Sequence, residues 1–483
     1  MTNPTLPTSR LFFDISSLIE YIERIDRYSG IQRVVSMLIV ELSKKISPDL
    51  LYVSYYERSS GQHKCLRFSE IGAEVFLSPA AMRALFFRAK TTVTRIRALD
   101  HYADRPGKYY FHRTRLDVLS VLGKDKHFRR FNMTAADWYK SRFGGIDVTK
   151  IKRVDPQLLK NVAAPGDKMI LLDSTWKDYQ VKAFIQAKAS GLVIYSLVHD
   201  LIPLLKPAMT DGLTPSVFLE WLTASIGYTD KFLANSEATQ RDLAEFLTQR
   251  GISQTIPVVP LVQTGLLSEQ MRAAAKPGPL RADIDVKAYP ELYDILGIND
   301  QLRALINDPY VLCVGTIEAR KNGWRLALAW KYLLEQGYVD LPRLVFAGRK
   351  GWLSKPLFDL LDGTGNLFGY VSVIDGPSDE ELDFLYRHCL FVAMPSLYEG
   401  WGLPVGEALS YGKTAVISNT SSLPEVGQDL VEYCDPESVL SIAKAILALV
   451  ETPARREELE RKIASAHLRD WSDVARDLLL AID

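Results

Sequence analysis

The chain has 483 residues, more than one typical hydrophobic core holds, so two domains are expected. Its 58 basic and 58 acidic side chains balance, which argues against a chain-wide nucleic-acid surface, and 47% hydrophobic with 24% charged residues suits a folded globular protein. Four cysteines (Cys65, Cys313, Cys389, Cys434) stand far apart without Cys-x-x-Cys spacing, as in a reducing cytoplasm.

The opening MTNPTLPTSRLFFD has no basic segment followed by an apolar core, so no signal peptide is expected. No run nears the roughly 18 apolar residues of a spanning helix. Residues 11–15 read as a short buried strand, followed by a loop to Tyr28-Ser29-Gly30. Apolar residues at 31, 34, 35, 38, 39 and 42 then make a helical stripe. Residues 50–78 read as short strands, and 79–165 as an insertion without clean periodicity. Between Arg83 and Arg153, 18 Lys and Arg stand against six Asp, interleaved with Phe86, Phe87, Tyr109, Tyr110, Phe111, Phe128, Phe131, Trp138 and Tyr139.

From Lys168, strands at 169–172, 192–198 and 232–235 alternate with helices at 176–190, 215–227 and 236–250, the last with Ser236 as N-cap. That alternation implies a doubly wound parallel sheet, closed by a strand at 257–261. The segment 263–308, with Pro277-Gly278-Pro279, reads as an interdomain linker. A second α/β run follows: a strand at 310–314, the loop GTIEARKN, a helix at 323–334 and a strand at 343–347. Ser378-Asp379-Glu380-Glu381 has capping-box spacing, strands fall at 390–394 and 414–418, and an amphipathic helix starts at Trp471.

The stretch PSLYEGWGLPVGEALSYGKTAVISNTSSLPE, 395–425, organises this second half. A buried strand runs into a turn with Gly400 and Gly402, and Gly402–Pro404 opens a helix, with Pro404 suited to the first helical position, where a missing N–H costs nothing. The unpaired N–H groups and positive dipole end of that helix favour an anion. Glu399 and Glu407 flank the turn. Together they suit an anionic, hydroxyl-rich ligand such as a nucleotide sugar.

The spacing Glu-x7-Glu from Glu399 to Glu407 within EGWGLPVGEALSYG, continued by SSLPEVG and Asp435-Pro436, resembles the signature of retaining GT-B glycosyltransferases of family 4. SGIQRVV, SLVHDLIPLLKP and VGTIEARKN are similar to further stretches of that family, and the whole looks most like bacterial polysaccharide mannosyl- and rhamnosyltransferases. The resemblance implies an α/β GT-B fold: two Rossmann-like domains facing across a cleft, with the basic insertion (about 79–165) in the first. It divides the chain into an acceptor-side domain at 1–265, a linker at 266–308 and a nucleotide-sugar domain at 309–467. The terminal helix, 468–483, would return to the first domain.

By the same resemblance His199 and Glu399 are catalytic, His199 by hydrogen-bonding the donor sugar and Glu399 by contacting its hydroxyls. Glu407 contacts the ribose. Gly30, Arg320, Lys321 and the backbone of Gly400, Trp401, Gly402 and Leu403 bind the donor. Where the family often has a further Arg, this chain has Thr316. No cofactor or metal is expected, since Arg320, Lys321 and a helix dipole can balance a diphosphate. The implied reaction moves a hexose or deoxyhexose, mannose or rhamnose favoured, from a nucleotide diphosphate sugar such as GDP-mannose. The acceptor is a glycan or a lipid-linked glycan of a surface polysaccharide such as lipopolysaccharide.

The expected location is cytoplasmic, peripheral at the inner face of the plasma membrane, with 83–153 meeting an anionic surface and no nucleic acid. Three other readings stay open. Asp283-Ile284-Asp285 has the form of a metal-binding Asp-x-Asp, but in the linker. Gly363-Thr364-Gly365 is the nearest approach to a dinucleotide-binding glycine pattern and follows no strand. A non-catalytic GT-B scaffold that binds a nucleotide sugar or glycan would carry the same motifs.

Overall fold

The computed structural model describes residues 9–25, 28–87, 105–128, 154–264, 308–377 and 379–483, with single positions at 135, 138 and 305. The linker carboxylates Asp283 and Asp285, the capping candidate Ser378 and the basic residues Arg129, Arg130, Lys150, Lys152 and Arg153 lie outside the described residues.

Two sheets form, each at the centre of a Rossmann-like domain. The first contains β1 (Leu11–Asp14), β2 (Leu51–Glu57), β3 (Gln62–Arg67), β4 (Gln157–Leu158), β5 (Lys168–Leu171), β6 (Val193–Val198) and β7 (Lys231–Ala234), in spatial order β4-β3-β2-β1-β5-β6-β7. The second contains β8 (Tyr310–Val314), β9 (Arg343–Ala347), β10 (Val371–Ile374), β11 (Phe391–Met394), β12 (Ala415–Ser418) and β13 (Glu432–Cys434), ordered β10-β9-β8-β11-β12-β13. All pairs in the second sheet are parallel. Its strand order reverses between β8 and β11, the place where open α/β sheets leave a crevice outside the strand ends. Helices cover both faces, so these strands read as continuous apolar runs; all five residues of β8 and all four of β11 are buried.

The first sheet departs from the expected all-parallel form in two places. β2 and β3 pair antiparallel because the turn between them, with Gly61 at φ 67°, is too short for a crossover helix. β4 adds a second antiparallel edge. The strand expected at 257–261 is one isolated bridge, Val258 to Ala234, because Pro257 and Pro260 have no N–H to give a ladder. Ser236 does cap its helix, accepting from Thr239 N at 3.0 Å.

The terminal helix Trp471–Ile482 is fixed at both ends. Asp470 accepts from Ser472 N and Asp473 N at 2.8 and 3.1 Å. At the other end Ile482 O accepts from Lys168 Nζ (2.6 Å) and Tyr195 OH (3.0 Å), and Ala481 O from Lys231 Nζ (3.0 Å). Cations thus meet the orphan carbonyls of a helix C-terminus, where they are most favourable. Its apolar face, Val474, Ala475, Leu478 and Ile482, is buried and packs on the helix Gly30–Ser43 of the first domain. Among the described residues, no helix is long and apolar enough to cross a membrane. Leu478→Ala should cost about 2–5 kcal/mol by leaving a cavity. Leu480, which faces solvent at 44% exposure, should tolerate Ala within about 0.5 kcal/mol. Chemical denaturation of the two variants checks this.

Candidate active site

The site is assembled at the crevice between β8 and β11. After β8 the chain turns at Gly315 (φ 130°), and a Cβ built on Gly348, after β9, would stand 1.8 Å from Gly315 O. Only backbone fits between these two loops. The short 3-10 turn Ala319–Lys321 follows and stops at Asn322, a left-handed residue at φ 60°. The Asn322 amide donates to Pro395 O (2.9 Å) and Pro436 O (2.8 Å), tying the loops after β8, β11 and β13 together. A buried amide with both N–H groups satisfied is a rigid strut.

That strut aims Arg320 and Lys321 at Glu399. Arg320 Nη1 lies 2.6 Å from Glu399 Oε2, and Lys321 Nζ lies 2.7 Å from Oε1. Arg320 also donates to Tyr398 O (2.8 Å) and pairs with Glu318 at 2.7 Å. Burial alone would raise the Glu399 carboxyl, but the Arg320 guanidinium and the Lys321 ammonium outweigh it and hold the group at about 2. Two cations meet two carboxylates, so the cluster is charge-balanced. Arg320 is engaged by Glu318, Tyr398 and Glu399, whereas an ammonium has three donors and Glu399 takes one of those on Lys321.

The turn carrying Glu399 is pinned by a hydroxyl pair. Ser421 Oγ accepts from Glu399 N at 2.9 Å, and the Ser422 hydroxyl shares its proton between Glu399 O and Trp401 O, each 2.9 Å away. Gly402 (φ 113°) then starts the helix Leu403–Ser410. That left-handed backbone favours glycine, and a Cβ there would also press on Leu423 Cδ2 at 2.6 Å.

The other domain closes on this turn. His199 and Asp200 follow β6, and a Cβ on Gly400 would stand 2.1 Å from His199 O. Gly400 is therefore required by a close approach of the two domains. His199 Nε2 donates to Leu172 O at 2.7 Å, which leaves Nδ1 as the acceptor nitrogen; burial holds the imidazole below its usual range, against the opposing pull of that carbonyl and of Asp200. Burial raises Asp200, opposed by Arg320. Gly30 stands opposite Leu403, whose Cδ1 a Cβ would meet at 3.5 Å.

The structure thus brings together His199, Arg320, Lys321, Glu399, Gly400 and Gly402, with Gly30 and Leu403 at one margin. Two expected residues take partners beyond the turn. The Trp401 side chain is buried, and its indole donates to Val262 O of the first domain at 2.8 Å, so only its backbone faces the turn. Glu407, in the helix Leu403–Ser410, accepts from Tyr386 OH and feels the Lys321 charge. Burial raises its carboxyl, opposed by Tyr386 and by Arg33 of the first domain.

Residues outside the expected set complete the frame. Arg33 pairs with Asp379 across the domains, Tyr398 OH donates to Asp242 at 2.6 Å, and Glu425 accepts from Glu237 N and Ala238 N at 2.8 and 2.9 Å. Glu425 is an anion on a helix N-terminus, placed from the opposite domain. Gly406 is a second close approach, its Cβ position 2.9 Å from Gln263 Cα. SSLPE carried the signal for Ser421, Ser422 and Glu425, yet their partners lie in other loops or the other domain. A cavity of about 210 Å³ opens beside Lys321, walled by Val314, Thr316, Phe346, Leu357, Leu397 and Met209. The Thr316 methyl packs against Gly351. Among the described residues, no group of three or more His, Cys, Asp or Glu is placed to hold a metal ion.

The depressed Glu399 carboxyl sets a pH dependence. Its ordinary value is 4.5 and its folded value about 2, so between them the folded chain binds fewer protons than the unfolded one. The stabilisation is present above about 4.5 and is lost as pH falls toward 2. Glu399→Gln should be less stable than the parent at neutral pH by roughly 3 kcal/mol, and the gap should close between pH 5 and 2 in melting curves.

Comparison with known proteins matches residues 298–466 to the family described as glycosyl transferases group 1. Over 165 residues the chain is 35% identical to O-antigen chain mannosyltransferase B of Escherichia coli, covering 34% of this chain and 43% of that protein. Over 282 residues it is 26% identical to the serotype-specific mannosyltransferase WbdA of Escherichia coli, covering 55% and 31%. The chain therefore spans less than half the length of these curated relatives. Among solved structures, Anabaena HepE in complex with UDP-glucose matches with TM-score 0.52 at 13% identity, covering 95% of this chain and 94% of that one. The fold is that of the GT-B glycosyltransferases, and the segment 298–466 carries its glycosyl transferases group 1 match.

Proposed function

We propose that this chain is a retaining, metal-independent glycosyltransferase of family 4. It moves a hexose or deoxyhexose, mannose or rhamnose favoured, from a nucleotide diphosphate sugar such as GDP-mannose to a glycan or lipid-linked acceptor in surface-polysaccharide synthesis. One observation carries this reading: Arg320 and Lys321 converge on Glu399 beside a glycine-lined helix N-terminus, with His199 of the other domain against the same turn. The mannosyltransferase relatives support the choice of sugar.

In this mechanism the diphosphate takes the remaining donors of Lys321 and the positive end of the helix Leu403–Ser410, which stabilise the leaving group as its charge grows. Arg320 holds Glu399 in place and leaves direct phosphate contact to Lys321. Glu399, with both oxygens already bonded to cations, accepts hydroxyls of the donor sugar. A carboxylate so strongly paired is a poor nucleophile, which favours departure and attack on one face over a covalent Glu399 adduct. His199, kept neutral by burial, presents Nδ1 to a sugar hydroxyl. Glu407 takes the ribose hydroxyls once Tyr386 yields.

A panel of nucleotide sugars, read by thermal stabilisation and by donor turnover, tests the reading. GDP-mannose should stabilise the protein and be consumed when an acceptor glycan is supplied. Stabilisation without turnover under all acceptors would leave a non-catalytic scaffold. Lys321→Ala and Glu407→Ala should each lose roughly tenfold or more in donor binding or turnover, the equivalent of about 1.5–3 kcal/mol for a charge-assisted bond. Unchanged kinetics in both would refute the assignment. Transfer should also persist in excess EDTA, and a strict, reversible need for Mn²⁺ or Mg²⁺ would overturn the metal-independent mechanism.

A further inference from the structure

The helix Pro106–Val121 in the basic insertion carries large apolar side chains on its inner and on its outer side. Its inner face is accounted for: Tyr109 and Leu116 are buried, and Trp138 donates through Nε1 to Asp117 at 3.0 Å while its ring lies 5.6 Å from that of Phe128. The outer face meets no partner among the described residues. Phe111, Val118 and Leu122 recur at helical spacing and are 65%, 54% and 60% exposed, with Tyr110 and Val121 beside them at 50% and 66%. Large apolar side chains exposed on one side of a helix, with basic side chains among them, mark a surface that something covers.

Charge identifies the cover. Between 105 and 128 there are six basic side chains, Arg105, Lys108, Arg113, Arg115, Lys124 and Lys126, against Asp117 and Asp125. Lys108 is exposed at the edge of the apolar stripe, Arg115 is exposed within it one turn from Phe111 and Val118, and Lys124 and Lys126 are exposed just past its end. We propose that this face is an interfacial membrane helix, lying in the headgroup plane of a bilayer rich in anionic phospholipid. Phe111, Val118, Val121 and Leu122 enter the acyl boundary, Tyr110 sits at the headgroup level, and the basic residues meet phosphate. A nucleic acid would use the cations but has no seat for three aliphatic side chains. The proposal is independent of the transfer reaction.

Co-sedimentation of the full chain with vesicles is the test. The protein should pellet with vesicles of phosphatidylcholine and phosphatidylglycerol in equal parts, not with phosphatidylcholine alone, and should be released as salt rises. Lys108→Gln with Arg115→Gln should weaken binding about fivefold per residue. Phe111→Ser, Val118→Ser and Leu122→Ser together should abolish it while the melting temperature holds, since these side chains touch solvent. A wild type that stays in the supernatant at low salt overturns the proposal. So does binding that the apolar triple variant retains, or a wild-type dimer that the triple variant turns into a monomer, which would make a second copy the cover.

Discussion

A buried carboxylate survives only when it is paired, and the pairing of Glu399 with Arg320 and Lys321 is the constraint from which the candidate site follows. Removing water from these groups costs far more than any single surface contact contributes. Their geometry must therefore be held closely. Asn322 holds the cations by joining three loops, and Ser421 and Ser422 hold the carboxylate by gripping its own backbone. Each of these supports is a short polar side chain satisfied by backbone, the kind of contact that sets a position without flexing. The balanced charge of the cluster leaves the helix dipole and the spare donors of Lys321 as the attraction an anion would feel.

The second constraint is that the site belongs to two domains at once. Gly400 and Gly406 admit first-domain backbone where any Cβ would collide with it. Around these approaches, Glu425 on a helix N-terminus, Tyr398 with Asp242, Trp401 with Val262 and Arg33 with Asp379 form a ring of polar contacts. Such contacts are individually modest and depend on the domains being together. The terminal helix works differently: its apolar face is buried against the Gly30–Ser43 helix, which makes it part of the first domain's core.

Much of this was legible in the sequence because it is local. The apolar runs of β8, β9 and β11, the Ser236 cap and the amphipathic terminal helix each depend on residues within a few positions of one another. What was not legible depends on partners far along the chain or on a missing donor. A strand at 257–261 looked apolar enough, but two prolines remove the N–H groups a ladder needs, and one bridge remains. Trp401 was expected at the donor through its backbone alone, and the place of its ring, buried with the indole on Val262 O of the first domain, was not legible. Arg320 and Lys321 both read as cations for a diphosphate, Lys321 as the more direct, but their partners were not legible: Arg320 is engaged by Glu318, Tyr398 and Glu399, and Lys321 gives one donor to Glu399.

By itself, then, the sequence determined the two α/β runs, the glycine turn ahead of a helix and the chemical types gathered near it, since hydrophobic period, caps and turn residues act over short stretches of chain. Tertiary structure alone decided which carboxylate each cation meets, why Gly400 has no side chain and where Trp401 points. Those outcomes depend on loops distant in the chain and on a second domain arriving within contact distance, and no local pattern encodes the distance between them.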